Sequence, residues 1–171
     1  TQRASMRGLK LIGLYGMSEV QALFARQEHT QVDEYRYLPG GKLISQHARV
    51  RARHPETKEI LPHGESGELE FKGPSLLTKY FENDVATDEL INEDGYLKSG
   101  DLGYTRSSSE FVFQARMGDI LRLGGYLVAP AEIENYLIEH ESVEAAQVVA
   151  VRINDKMKAY AFIILINNKT A

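Results

Sequence analysis

Apolar positions along this chain come in short runs whose period changes from one segment to the next. Residues 9 to 14 (LKLIGL) form an apolar run that stops at Tyr15-Gly16, the pattern of a buried strand ending in a turn. In residues 18 to 29 (SEVQALFARQEH), Val20, Leu23, Phe24 and Gln27 fall at helical spacing, and Ser18 stands where a capping residue belongs. Strand, tight turn and helix is therefore the predicted order. From about 31 to 113 the pattern shifts to short strand-like runs (KLISQHARVRAR, GELEFKG, FVFQAR) cut by Pro39-Gly40-Gly41, His63-Gly64, Gly73-Pro74 and Asp94-Gly95, which predicts a small, mostly β unit. A second change comes near 116, where FVFQARMGDILRLGGYLV reads as two strands joined by a turn at Met117-Gly118-Asp119. Pro130 then opens a helix, with Glu132 and Glu134 in its first turn and Ile133, Leu137 and His140 on one face. Residues 143 to 153 and 159 to 166 predict two further strands around a polar turn, Asn154-Asp155-Lys156.

Bulk properties narrow the function classes. The 171 residues are 43% hydrophobic, enough to bury a core in one domain or a domain and a half. With 20 basic against 24 acidic side chains there is no broad positive field, which argues against a nucleic-acid backbone as partner and leaves small nucleotides open. The absence of cysteine excludes a disulfide framework, thiolate zinc and an active-site thiol, and fits a reducing, cytoplasmic setting. The five histidines lack ligand spacing. The longest apolar run, Ala159 to Ile166, is far below the ~20 residues a membrane span needs, and no targeting segment is visible. Thr1 does not read as a natural start; the sequence is expected to open inside a longer chain.

Three short patterns could carry chemistry. In YGMSE (Tyr15 to Glu19), a glycine after an aromatic ring lets backbone approach a flat ligand, and a hydroxyl and a carboxylate close by can meet a phosphate and its magnesium ion. The same five residues also make an ordinary strand-to-helix turn. In YLKSGDLGY (Tyr96 to Tyr104), Asp101 directly after glycine can accept hydrogen bonds from both hydroxyls of a ribose, at roughly 1.5 to 3 kcal/mol each for such charge-assisted bonds. Gly100-Asp101 can equally be a plain β-turn. In ARMGDILRLGGYLVAPAEIE (Ala115 to Glu134), Arg116 beside a glycine-containing turn could hold phosphate oxygens while the chain pivots next to it, or belong to a simple hairpin.

Taken together and in order, these patterns resemble the adenylate-forming superfamily: acyl-CoA synthetases, adenylation domains of peptide synthetases, and luciferases. That family shows an aromatic-Gly-x-Thr/Ser-Glu element, then Gly-Glu-Leu and Gly-Pro, then Asp-Gly-Trp/Tyr with Thr/Ser-Gly-Asp, then an arginine, a hinge and a Glu-Ile-Glu helix start. Here they stand as YGMSE (15 to 19), GEL (67 to 69), GP (73 to 74), DGY (94 to 96), SGD (99 to 101), Arg116 and EIE (132 to 134). The resemblance implies that Tyr15 stacks on adenine beside Gly16, that Ser18 contacts the α-phosphate, and that Glu19 holds Mg2+, with Ser18 and Glu19 the catalytic pair. It further implies that Asp101 binds the ribose diol and that Arg116 reaches the ribose or phosphate. The implied activity is that of an acid-thiol ligase: a carboxylate, with fatty acids among the candidates, attacks ATP to give an acyl adenylate, and the thiol of coenzyme A then displaces AMP. A carrier-protein thiol as acceptor, and a β-rich binding module without catalysis, stay open as alternatives.

The implied fold class is α+β. Residues 1–30 would end a large N-terminal domain, 31–115 would form a β-rich, distorted barrel-like subdomain, 116–119 a hinge, and 120–171 a partial α+β domain. This chain departs from the family pattern at three places. Gly118 stands where the hinge usually has aspartate or lysine, with Asp119 next; Ala115 replaces a glycine; and Leu127 stands where many acyl-CoA synthetases have a second arginine. The family's Ser/Thr/Gly-rich phosphate loop and its catalytic lysine do not occur in these residues, so the polypeptide alone is expected to be inactive. A strand at 9 to 14 cut from a larger sheet is expected to self-associate or to leave the N-terminus displaced.

Overall fold

The computed structural model describes residues 7–29, 33–123, 126–153 and 156–166. It is β-rich and divides into two compact units, one up to Gln114 and one from Ala115 onward. The first unit is built on an antiparallel seven-stranded sheet. Its strands are β1 (Leu14–Met17), β2 (Gln21–Arg26), β3 (Gly40–Leu43), β4 (Arg49–Arg53), β5 (Gly67–Lys72), β6 (Leu97–Ser107) and β7 (Glu110–Arg116). They lie in the order β1-β2-β3-β7-β6-β5-β4, with β1 and β4 at the two ends. A single helical turn, α1 (Asp33–Arg36), precedes β3, and a short helix, α2 (Asp84–Leu90), lies in the long connection between β5 and β6. Phe24, Leu69, Phe71, Leu97 and Phe111 form the centre of the core, and Tyr15 joins them.

The N-terminal segment corrects two expectations. No strand forms over residues 9 to 13: Leu9, Leu11 and Leu14 are exposed, and Gly13 N donates to Arg36 O (2.7 Å) while Gly13 O accepts from Gln27 N (2.9 Å). The strand begins only at Leu14 and carries the Tyr15-Gly16 pair inside it. The helix expected over 18 to 29 is absent as well. Residues 18–20 turn, with Val20 N donating to Met17 O at 3.2 Å, and Gln21–Arg26 returns as a strand paired to β1 and to β3. The spacing of Val20, Leu23 and Phe24 suits a helix, but a strand flanked on both sides satisfies its backbone groups and still buries Phe24 and Ala25. Gly16 permits the hairpin: a Cβ there would lie 2.1 Å from the Ala22 carbonyl oxygen. Ser18 is therefore an exposed turn residue and caps no helix.

The second unit is a small α+β arrangement. A 3-10 turn, Met117–Asp119, follows β7, as a turn was expected there. The next strand, β8 (Leu121–Leu123), finds its ladder partner in β9 (Tyr126–Val128), so residues 117–119 are not the tip of a hairpin. Helix α3 (Pro130–Ile138) opens on its proline with Glu132 in the first turn, and packs on β10 (Val143–Ile153), which pairs over its length with β11 (Lys156–Leu165). His140 lies past the helix end instead of on its apolar face. Of the expected turn Asn154-Asp155-Lys156, Lys156 is already in β11, and the other two lie outside the described residues. Among the described residues, no helix is long and apolar enough to cross a membrane.

Candidate functional site

Asp101 is aimed by an irregularity in β6. Across the β5–β6 ladder Glu68 faces Leu102 while Glu70 faces Lys98, so the stretch Ser99-Gly100-Asp101 bulges against Leu69 alone. Gly100 makes this possible with φ at +68°, a left-handed conformation that a side-chain-bearing residue resists. Ser99 locks the bulge: its hydroxyl donates to Leu69 O at 2.6 Å and accepts from Asp101 N at 3.1 Å. The Ser-Gly-Asp order thus has a mechanical meaning, since the serine ties the bulge, the glycine bends it and the aspartate is presented by it. Asp101 is buried at 2% exposure, and its Oδ2 accepts the Tyr15 hydroxyl at 2.5 Å.

Tyr15 comes to this contact from β1. Its ring packs against Phe71, Phe111 and Phe113, with centroids 5.3, 5.1 and 6.0 Å away, leaving the residue 7% exposed. It therefore presents a hydroxyl to Asp101, and no open aromatic face: stacking on a base requires its protein neighbours to yield one side of the ring. Gly16 is exposed beside it. Ser18 and Glu19 occupy the turn at the end of the same hairpin. Glu19 is half-buried, its carbonyl accepts from Leu77 N at 2.7 Å, and its Oε1 accepts the Tyr80 hydroxyl at 2.8 Å. This hydrogen bond from Tyr80 to Glu19, with some burial and the negative charge of Glu19, pushes the Tyr80 hydroxyl pKa above its ordinary value. The structure thus joins Tyr15 to Asp101 directly and ties Glu19 to a segment 61 residues away.

Among the described residues, no group of three or more histidine, aspartate and glutamate side chains could hold a metal by itself. A lone carboxylate on an accessible turn nevertheless suits Mg2+, which commonly takes one or two protein carboxylates and completes its shell with water and substrate phosphates. Glu19 fits that role.

Arg116, Gly118 and Asp119 lie in the second unit, all exposed. A Cβ added to Gly118 would meet nothing within 4 Å, so the conformation seen here does not itself require glycine at that position. Gly118 and Asp119 line a cavity of about 490 Å³ with Pro130, Glu134 and Val148, where Glu134 Oε1 accepts Val148 N at 2.8 Å.

A polar network at the β4 end of the sheet escaped the reading of the sequence. Glu70 on β5 is buried and accepts from Arg51 Nε (2.6 Å), Arg53 Nε (2.8 Å) and Asn92 Nδ2 (3.1 Å). Arg51 also bonds Asp94 at 2.8 Å and lies 3.9 Å from the centroid of the Tyr96 ring, and Lys72 donates to Asp94 O at 2.8 Å. The hydrogen bond from Arg51, with its charge, holds the Asp94 carboxyl below the usual carboxylate range. The Asp-Gly-Tyr element thereby anchors the end of the β5–β6 connection just before the strand that carries Asp101.

Comparison with known proteins places this geometry in context. No protein-family model matches the chain. It is 37% identical over 139 residues to a luciferin 4-monooxygenase of Photuris pensylvanica, covering 80% of this chain and 24% of that protein. It is 29% identical over 172 residues to 4-coumarate-CoA ligase 1 of Glycine max, covering 99% of this chain and 59% of that one. Among solved structures, ATP-bound MatB from Rhodopseudomonas palustris superimposes with a TM-score of 0.83 at 26% identity over 96% of this chain and 32% of its own. The AMP complex of the O-succinylbenzoate coenzyme A synthetase MenE from Bacillus subtilis gives 0.80 at 25% over 99% and 34%. The chain thus spans less than two thirds of each of these proteins, from 24% to 59%, and what it matches is a C-terminal part of longer ones.

Proposed function

We propose, from the premise that the chain belongs to the adenylate-forming superfamily, that it supplies the ribose-facing β unit and the hinge segment of an ATP-dependent carboxylate ligase. The reaction is formation of an acyl adenylate, followed by transfer of the acyl group to the thiol of coenzyme A. The observation that carries this reading is the Asp101 carboxylate, presented by the Ser-Gly-Asp bulge and already accepting one O–H donor, the Tyr15 hydroxyl. A ribose diol offers two donors of the same kind. Asp101, buried here, accepts them once the groups that cover it yield, Tyr15 holds Asp101, Ser18 on the exposed turn donates to the α-phosphate, and Arg116 offsets phosphate charge. Glu19 would hold Mg2+, which when bound offsets the charge of the triphosphate.

Names among the relatives and neighbours support the cofactors: CoA ligases for coenzyme A, and ATP-bound and AMP-bound structures for the nucleotide. The substrate is a carboxylic acid, the location cytoplasmic, and Gly118 with Asp119 absorbs a rotation between the half-reactions. These residues contain no Ser/Thr/Gly-rich phosphate loop, so by themselves they do not adenylate, and pyrophosphate exchange by the purified chain well above background contradicts that. Self-association runs through the β1 edge beside exposed Leu9, Leu11 and Leu14, and a strictly monomeric sedimentation velocity profile contradicts it.

The deciding experiment uses an adenylating enzyme containing this chain. AMP release is followed over a panel of carboxylic acids, with and without coenzyme A, for the wild type and Asp101→Ala. The expected result is coenzyme-dependent AMP release by the wild type and a rise of at least tenfold in KM for ATP in the variant. An unchanged KM for ATP sinks the assignment of Asp101. Release that depends on a carrier protein and ignores coenzyme A moves the acceptor to that thiol.

A further inference from the structure

A carboxylate on a hairpin turn has no ladder bonds to hold its side chain, so a glutamate there samples several rotamers unless something else fixes it. Glu19 is fixed by a partner that no short motif contains. Leu77 N binds its backbone oxygen and Tyr80 donates its hydroxyl to Oε1, so main chain and side chain are gripped from the same four-residue segment. Tyr80 is in turn held in place: its N–H donates to Thr87 Oγ1 at 3.0 Å, and the Thr87 hydroxyl donates to Asn83 O at 2.8 Å. Asn83 caps α2 by accepting from Ala86 N at 3.1 Å. The first turn of α2 therefore sets the Tyr80 backbone, and no residue of that helix is fully buried.

We propose that Tyr80 is a positioning residue for Glu19, committing Oε1 and one rotamer so that Oε2 is presented to a cation that arrives with the nucleotide. This rests on the reading of Glu19 as the magnesium-holding carboxylate. The physical benefit is that the ordering of the side chain is complete before the ion arrives, and hydrogen-bonded partners of metal-holding carboxylates typically change metal affinity by roughly 10- to 100-fold when removed.

Two measurements test the proposal. On the 171-residue chain, urea stability is measured for the wild type, Tyr80→Phe, Glu19→Gln and the double variant. The two single losses should not add, because both remove the same hydrogen bond. Strict additivity overturns the contact itself. In an adenylating enzyme containing the chain, Tyr80→Phe should raise the Mg2+ concentration for half-maximal rate about tenfold, while kcat and the KM for ATP at saturating Mg2+ stay near wild type. A higher Mg2+ requirement in Glu19→Gln with none in Tyr80→Phe overturns the role of Tyr80 and leaves Glu19 as the metal carboxylate. No change in Glu19→Gln overturns the reading of Glu19, and the role of Tyr80 falls with it. Should Tyr80→Phe fold poorly, Thr87→Val loosens the same hold without touching Glu19, and an unmoved Mg2+ dependence there counts against the proposal.

Discussion

Glu70 gives the sharpest test of how the first unit is held together. In the β4–β5 register it stands opposite Arg51, and Arg53 lies two residues along on the same face, so one carboxylate meets two guanidinium groups at 2.6 and 2.8 Å. The Glu70 side chain is 1% exposed, whereas those of Arg51 and Arg53 are 17% and 19% exposed. Glu70→Ala leaves two cations and the Asn92 amide facing an empty volume. Removing one partner of a fully buried pair costs about 3 to 5 kcal/mol. Here the arginines keep some water and Asp94, which lowers the expectation to about 2 to 4 kcal/mol. In urea unfolding followed by circular dichroism, the transition of the first unit should move down by about 1 to 2 M with an unchanged slope, taking a slope of roughly 2 kcal/mol/M. Arg51→Met combined with Glu70→Leu should recover part of the loss, because a well-packed apolar pair can replace a buried ionic one. A Glu70→Ala protein within about 0.5 kcal/mol of wild type refutes the reasoning, since that is the size of an ordinary surface substitution.

Three further outcomes follow from the same geometry. Tyr15→Phe keeps the ring among Phe71, Phe111 and Phe113 but deletes the donor to buried Asp101, and should lower stability by about 1 to 3 kcal/mol in urea titration; no loss means the bond is not formed in solution. Gly118→Ala meets open space and should leave stability unchanged or raise it by up to about 1 kcal/mol, so a drop in melting temperature would show a tighter turn than the one seen here. The Asp94 carboxyl is depressed by Arg51, so its contribution is present above the unfolded carboxylate pKa of about 3.9 and is lost as pH falls through the lower folded value. Asp94→Asn should therefore lower stability at neutral pH and flatten the acid side of the profile below about pH 4, so that variant and wild type converge in acid; an unchanged acid limb contradicts the pairing with Arg51.

What could be read from the sequence and what could not divides along one physical line. Features set by the local chain were legible: the Gly and Pro punctuation that cuts the first unit into short strands, the proline-opened helix at 130, and the turn at 117 to 119. Features set by what a residue meets far away were not. The run Val20, Leu23, Phe24 fits a helix in isolation and becomes a strand because β1 and β3 flank it and Gly16 lets the Ala22 carbonyl approach. The acidic residues show the same division. Asp101 could be singled out because its setting, serine, glycine and aspartate in a row, is itself local, although the bulge that presents it also needs Leu69 of β5. Glu70 reads as one more glutamate in a strand until the β4–β5 register sets Arg51 opposite it. Glu19 lies between these cases, named by its five-residue pattern but aimed by Tyr80, 61 positions later. Its placement on a hairpin turn, and not at a helix start, is what makes that distant partner matter. At a helix start, backbone N–H groups and the macrodipole would have favoured the carboxylate from its own element, whereas on the turn the described hydrogen bond to its side chain comes from the β5–β6 connection.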